Sequence, residues 1–220
     1  MIICDNPRTI LLYKNLNDFS CSDYEKALEK ASPDRRKKTG KYLKEADRKR
    51  SAMAEMLLRE ALKEFGNKEV SLDYDYGING KPYLKGENMP FFNISHSGDY
   101  VICAVSDREV GCDIQSKAEI KAGEAEKLAG RFFCKSEAAY VSAGEDEEIR
   151  RDRFCRMWTT KESFIKQSGA GLSAELSSFE LVCDEKCATI NKIYSDKKIV
   201  FFEPDIDPDY CCTVCVETTA

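Results

Sequence analysis

Three short stretches carry the residue types from which a reaction site could be built. The only histidine, His96, stands in Phe91-Phe92-Asn93-Ile94-Ser95-His96-Ser97-Gly98. One histidine cannot make a histidine-rich metal centre, and a satisfied structural histidine is the plain reading. The setting points elsewhere. Asn, Ser, His and Gly crowding a strand end offer many hydrogen-bond donors beside permissive backbone, which suits phosphate groups. The second stretch is Val110-Gly111-Cys112-Asp113-Ile114-Gln115, where strand alternation puts Asp113 and Gln115 on one face and Cys112 and Ile114 on the other. Cys112 and Ile114 are expected to be buried. The acid and the amide could hold a hard cation through oxygen, or could simply face water. The third is Phe154-Cys155-Arg156-Met157-Trp158-Thr159-Thr160-Lys161-Glu162-Ser163-Phe164-Ile165-Lys166. Glu162 and Lys166, four apart, share a helix face; as a surface pair they would be worth only ~0.3 kcal/mol. The only tryptophan lies one turn before Glu162, so its carboxylate is expected at the edge of the core, where partial burial demands a cation or a donor.

These residues need a frame, and the composition bounds it. The 220 residues, with 42% hydrophobic and 33% charged, can bury a sizeable core, which excludes disorder and fibrous repeats and leaves room for one large domain or two small ones. No apolar run approaches the roughly 20 residues that cross a bilayer, and no basic start with an apolar stretch opens the chain, so a cytoplasmic protein without membrane contact is expected. Eleven cysteines, an odd count, read as reduced thiols packed in the core. Cys183, Cys187, Cys212 and Cys215 have spacings that a zinc site could use, but each pair falls in strand-like alternation, which favours packing.

The net charge of −5 hides a local excess of the opposite sign. From Asp34 to Arg50 nine Lys and Arg face three acids, a local +6. A solvated helix face or a polyanion site would explain it; with Tyr42 as the one aromatic there, a nucleic-acid arm would not. Ser22 with Glu25 fits a capping box for a helix through Ala31, and Ser32-Pro33 starts the next. A third helix is expected from about Asp47 to Phe65, closed by Gly66. Strands follow from Val70 to Tyr76, near Phe91 to Ser95 and from Tyr100 to Ser106, with a turn at Gly77 to Gly80. The second half repeats the plan: a strand from Val110 to Gln115, helices near Ala122 to Phe133, Ser136 to Ala143 and Glu147 to Gln167, then strands at Ser178 to Cys183, Ala188 to Tyr194, Ile199 to Glu203 and Cys211 to Glu217. The expected fold is α+β, two halves, 1–108 and 109–220, side by side.

Phe92-Asn93-Ile94-Ser95-His96-Ser97, Gly111-Cys112-Asp113-Ile114-Gln115 and Trp158-Thr159-Thr160-Lys161-Glu162-Ser163-Phe164-Ile165-Lys166, in this order, resemble the 4'-phosphopantetheinyl transferases of the surfactin type. The likeness runs from Ser32-Pro33 through Gly80-Lys81-Pro82 to Gly169 and Gly171. It implies a monomer of two similar halves in a pseudo-twofold arrangement with the active site in the cleft between them. It further implies transfer of the phosphopantetheine arm of coenzyme A to a serine of an apo acyl or peptidyl carrier protein, releasing adenosine 3',5'-bisphosphate. Asp113, Gln115 and Glu162 would be ligands of Mg²⁺, with Mn²⁺ an alternative. Lys166 would contact phosphate and protonate the leaving group, and His96 and Ser95 would bind coenzyme A phosphates. Lys81 would lie near the adenine, and Arg35, Lys38, Arg50 and Ser51 would complete the coenzyme A site. Glu162, Lys166 and His96 are the candidate catalytic residues.

Attack at a pyrophosphate needs in-line positioning and charge neutralisation more than covalent help. A magnesium-dependent phosphodiesterase would use similar groups, and a coenzyme A or carrier-protein binding module without chemistry is the non-enzymatic alternative. Many relatives carry Glu where this chain has Gln115. The site thereby lacks one negative charge, and Gln115→Glu is expected to lower the Mg²⁺ concentration needed for half-maximal rate.

Overall fold

In a computed structural model of the protein, which describes residues 1–5, 7–66, 71–171, 175–183, 188–190 and 198–218, the element order of the first half returns in the second. Strands β1 (Ile2–Asp5) and β2 (Arg8–Asn15) lead to helices α1 (Cys21–Lys30), α2 (Pro33–Thr39) and α3 (Glu45–Glu64). A small hairpin, β3 (Tyr74–Tyr76) and β4 (Pro82–Leu84), precedes β5 (Phe91–Ser97) and β6 (Tyr100–Ser106). After residues 107–109 the plan restarts with β7 (Val110–Ser116), α4 (Glu124–Phe132), α5 (Lys135–Ser142) and α6 (Glu147–Ser168). The hairpin β8 (Leu181–Cys183) and β9 (Ala188–Ile190), then β10 (Lys198–Phe202) and β11 (Tyr210–Thr218), complete it. In each half the first long strand pairs antiparallel with the last, and the last with the one before it: β2-β6-β5 and β7-β11-β10. Strand β1 only widens the first sheet.

The layers run helix, sheet, sheet, helix. Ala54, Leu57, Leu58 and Ala61 of α3 cover one face of the first sheet through Phe92, Val101, Cys103 and Val105. Its other face, with Leu11, Ile102 and Ala104, packs on Cys112, Ile114, Cys212 and Val214 of the second sheet. Helix α6 closes the far side, where Thr159 and Thr213 share a hydrogen bond of 2.9 Å. Both halves thus offer the sheet face turned away from their own long helix, the self-similar contact that a pseudo-twofold relation produces.

At one edge β5 runs beside β7, and side chains bridge the two sheets. Cys112 N donates to Asn93 Oδ1 (2.9 Å), Ser95 Oγ to Asp113 Oδ1 (2.6 Å) and Ser116 N to Ser97 Oγ (2.9 Å). Residues 93, 95 and 97 share one face because a strand repeats every two residues. His96, between them, points the opposite way.

Some local expectations need correcting. The capping box of α1 is Ser20 with Asp23, not Ser22 with Glu25. The earlier start puts Phe19 before the cap and Tyr24 after the first turn into the same core, a hydrophobic staple. Ser32 does cap α2, accepting from Arg35 N, with Pro33 first in the helix. Val70 lies outside the described residues, and the strand there begins only at Tyr74. Strands β1, β2 and β4 were not expected; Ile10 and Leu11 are both buried because β2 is covered on both faces, which erases the alternation. Cys212 and Cys215, both buried, point to opposite faces of β11 and cannot share one ion; the Cys183 side chain and Cys187 lie outside the described residues. Among the described residues no helix is long and apolar enough to cross a membrane.

Candidate active site

The site begins with a glycine. A Cβ on Gly111 would stand 2.0 Å from Ser163 O and 2.4 Å from Gln167 N, so only the bare backbone of β7 lets α6 lie this close. That contact sets Glu162 and Lys166 of α6 beside Asp113 and Gln115 of β7, and all four line a cavity of about 580 Å³ with Ser95, His96, Glu119 and Trp158. The neighbouring Lys161 points into the core, where it pairs with buried Glu137 (2.8 Å) and donates to Leu176 O and Phe179 O. Successive residues of one helix thereby anchor it and face the cleft.

Inside the cavity, Lys166 Nζ donates to Asp113 Oδ1 (2.5 Å) and to Ser95 Oγ (3.0 Å). Burial would push Lys166 down, but the charge of Asp113 and the hydrogen bond to it outweigh burial, so its affinity for the proton is raised and it stays charged. Glu162 makes no hydrogen bond among the described residues. Burial first, then the charge of Asp113, push its carboxyl above the ordinary range, while Lys166 pulls it back. Among the described residues no three His, Cys, Asp or Glu converge. What converges is two carboxylates and an amide around one ammonium, a donor set that suits a hard cation whose remaining positions are filled by water and phosphate oxygens.

A second cavity of about 440 Å³ lies beside the first and is lined by Arg35 and Lys38 of α2, Arg50 and Ser51 of α3, Tyr74 and His96. Arg50, Ile94 and His96 belong to both, so the two cavities adjoin. Buried Glu55 fixes the α2 end: it accepts from Ser32 N (2.7 Å) and Ser32 Oγ (2.8 Å) and lies 3.6 Å from Arg35 Nε. Burial and the nearby Arg35 push Lys38 down. The protein packed around His96, then Arg50 and Lys166, push its imidazole below the ordinary range although part of the ring remains exposed. Half-buried basic groups that lose hydration and face like charges gain most from an anion brought among them. The Tyr74 hydroxyl, buried and without a hydrogen-bond partner among the described residues, is a further donor on this wall.

Lys81 requires correction. Its ammonium is turned away from the cleft and spent on Glu109 Oε2 (2.6 Å), Val110 O (3.1 Å) and Gln167 O (2.7 Å), with 8% of the residue exposed. Three donors meet three acceptors, which ties the end of α6 to the start of β7; only Gly80 and Pro82 of this turn reach the cleft. Ser95 is drawn into the Asp113–Lys166 network, and the Ser51 hydroxyl is bonded to Thr39 (2.8 Å). Sequence reasoning missed Glu119, Glu55 and Tyr74. Glu119 follows the strand in a short 3₁₀ turn with no periodic pattern, and Glu55 is a charged residue in a helix whose inward stripe is read from its apolar side chains, so neither carried a signal.

Comparison with known proteins brings independent findings. The family described as the 4'-phosphopantetheinyl transferase superfamily matches residues 109–215, and that described as 4'-phosphopantetheinyl transferase, N-terminal, matches residues 18–108. A 4'-phosphopantetheinyl transferase of Bacillus subtilis is 31% identical over 198 residues, 89% of this chain and 86% of the relative. The 4'-phosphopantetheinyl transferase Sfp of Bacillus subtilis (strain 168) is 29% identical over 208 residues, again 89% and 86%. The 4'-phosphopantetheinyl transferase gsp of Aneurinibacillus migulanus is 30% identical over 177 residues, 80% of this chain and 71% of the relative.

Proposed function

The chain belongs to the 4'-phosphopantetheinyl transferase superfamily, and from that premise we propose that it moves the phosphopantetheine arm of coenzyme A onto a serine of an apo carrier protein, with Mg²⁺ as cofactor and adenosine 3',5'-bisphosphate as the product released. The observation that carries the reading is the adjacency of two unlike cavities: one lined by Arg35, Lys38 and Arg50 for phosphates and, next to it, a pair of carboxylates with a lysine.

Coenzyme A bears a 3'-phosphate and a diphosphate, and Arg35, Lys38, Arg50 and His96 are the groups to receive them. Asp113, Glu162 and the Gln115 carbonyl would hold Mg²⁺, which when bound neutralises non-bridging oxygens of the diphosphate. Glu162, with its raised proton affinity and free carboxylate, takes the serine proton. The serine oxygen attacks the phosphorus carrying the pantetheine arm, and the bond from that phosphorus to the oxygen bridging to the adenosine bisphosphate breaks. Lys166, held charged, offsets the charge gathering on the departing phosphate. Ser95 steers Lys166 and Asp113 rather than touching the reacting atoms.

Intact mass spectrometry of apo carrier proteins incubated with the enzyme, coenzyme A and Mg²⁺ tests this. The expected result is a gain of one phosphopantetheine on serine, with the rate reduced by at least ~10²-fold in Glu162→Ala. An unchanged carrier mass, or a Glu162→Ala enzyme of normal rate, overturns the reading. Relative rates on fatty-acid, polyketide and peptide carriers would then rank the clients.

A further inference from the structure

The amide of Gln115 is held in one orientation, and its partner is a carboxylate on the same cavity wall that the proposed reaction gives no role. Gln115 Nε2 donates to Ser116 O (3.0 Å) and to Glu119 Oε2 (3.0 Å). Both partners accept only, so the nitrogen end must face them and the carbonyl oxygen must point away. That oxygen accepts no hydrogen bond among the described residues, and Gln115 lines the cavity that holds Asp113, Glu162 and Lys166. Glu119 is itself fixed: Ser97 Oγ donates to Oε2 (2.6 Å) and Gly98 N to Oε1 (3.2 Å). The β5–β6 turn that supplies those donors is pinned as well. Arg50 Nε donates to Gly98 O (3.0 Å), Asp99 N donates to Tyr210 Oη (3.1 Å), and a Cβ on Gly98 would stand 2.4 Å from that same oxygen. Glu119 therefore grips a rigid turn with one hand and the amide with the other.

We propose that Glu119 is a positioning residue that works with Gln115 as a pair. It presents the neutral amide's oxygen to the cation site and, four residues along the chain, supplies the negative charge that position 115 lacks. The inference rests on the proposed Mg²⁺ site. It revises the expectation for Gln115→Glu: a carboxylate introduced at 115 would meet Glu119 within hydrogen-bond reach, and like charges at that distance repel. The single exchange gains little, whereas moving the charge by combining it with Glu119→Gln restores a compatible pair, because the new amide at 119 can donate to the new carboxylate at 115.

The test is a double-mutant cycle on Mn²⁺ affinity, read directly by electron paramagnetic resonance on the full-length protein with coenzyme A present. Expected outcomes are a five- to tenfold weaker Mn²⁺ affinity for Glu119→Gln, at most a twofold gain for Gln115→Glu, and recovery of wild-type affinity or better in the combined variant. A purely structural role for Glu119 would weaken all variants lacking it, with no recovery. Independent single effects that multiply in the combined variant overturn the pairing alone. Absence of Mn²⁺ binding by the wild-type protein with coenzyme A overturns the cation site and the pairing with it.

Discussion

His96 shows how a lone titratable residue can be read once its surroundings are known. The sequence offered it as a phosphate contact on account of its neighbours, and the fold adds the reason its proton is loosely held: burial first, then the charges of Arg50, Lys166 and Lys38, lower its proton affinity, and Asp47 opposes them. At neutral pH the free protein therefore carries a neutral imidazole. Phosphates arriving beside it raise its proton affinity, so binding takes up a proton, and the contribution of His96 to coenzyme A affinity grows as pH falls from neutral toward the depressed free-state pKa. Calorimetry in buffers of different ionisation enthalpy should show proton uptake in the wild type and less of it in His96→Gln; the difference removes the titration of the 3'-phosphate itself. Equal uptake in both would place His96 away from the phosphates. Lys81 is the counterexample. The resemblance put it near the adenine, and only the fold reveals the acceptors that bury its ammonium.

Among elements, the long helix α6 and the strand β7 were legible, because the helix runs without glycine or proline until Gly169 ends it and the strand is bounded by turns. Their closeness was not, since Gly111 in a strand signals a near approach without saying of what. That approach now ties stability to activity. Gly111→Ala must lift α6 from β7, at a cost toward the upper end of roughly 1–3 kcal/mol. It also displaces Glu162 and Lys166 relative to Asp113; a shift of order 1 Å lowers kcat/KM by about 10²-fold. Thermal unfolding and steady-state rates check both. A variant that melts early yet turns over normally would mean that the packing of α6 does not set the reacting geometry. The strands that escaped reading, β1, β2 and β4, failed for physical reasons: β2 is covered on both faces, β1 is a short edge, and β4 exists only through pairing with β3.

Across the whole molecule, a duplicated plan of strand, three helices, hairpin and two strands becomes one cleft because the halves meet unequally at their edge. The first half contributes the basic helix α2 and the polar row of β5, and the second contributes carboxylates and lysine; neither half holds the complete site. The repeat was visible only as an order of elements, since the sequence itself does not repeat. In the proposed reaction Asp113 and Glu162 converge on one divalent ion at the diphosphate of coenzyme A. The most direct measurement of this is ³¹P relaxation of coenzyme A bound to the protein with Mn²⁺. The diphosphate signals should relax far faster than the 3'-phosphate, and this enhancement should vanish in the Asp113→Asn/Glu162→Gln variant while coenzyme A still binds. Uniform relaxation of all three phosphates, or an enhancement untouched by the double substitution, would contradict it.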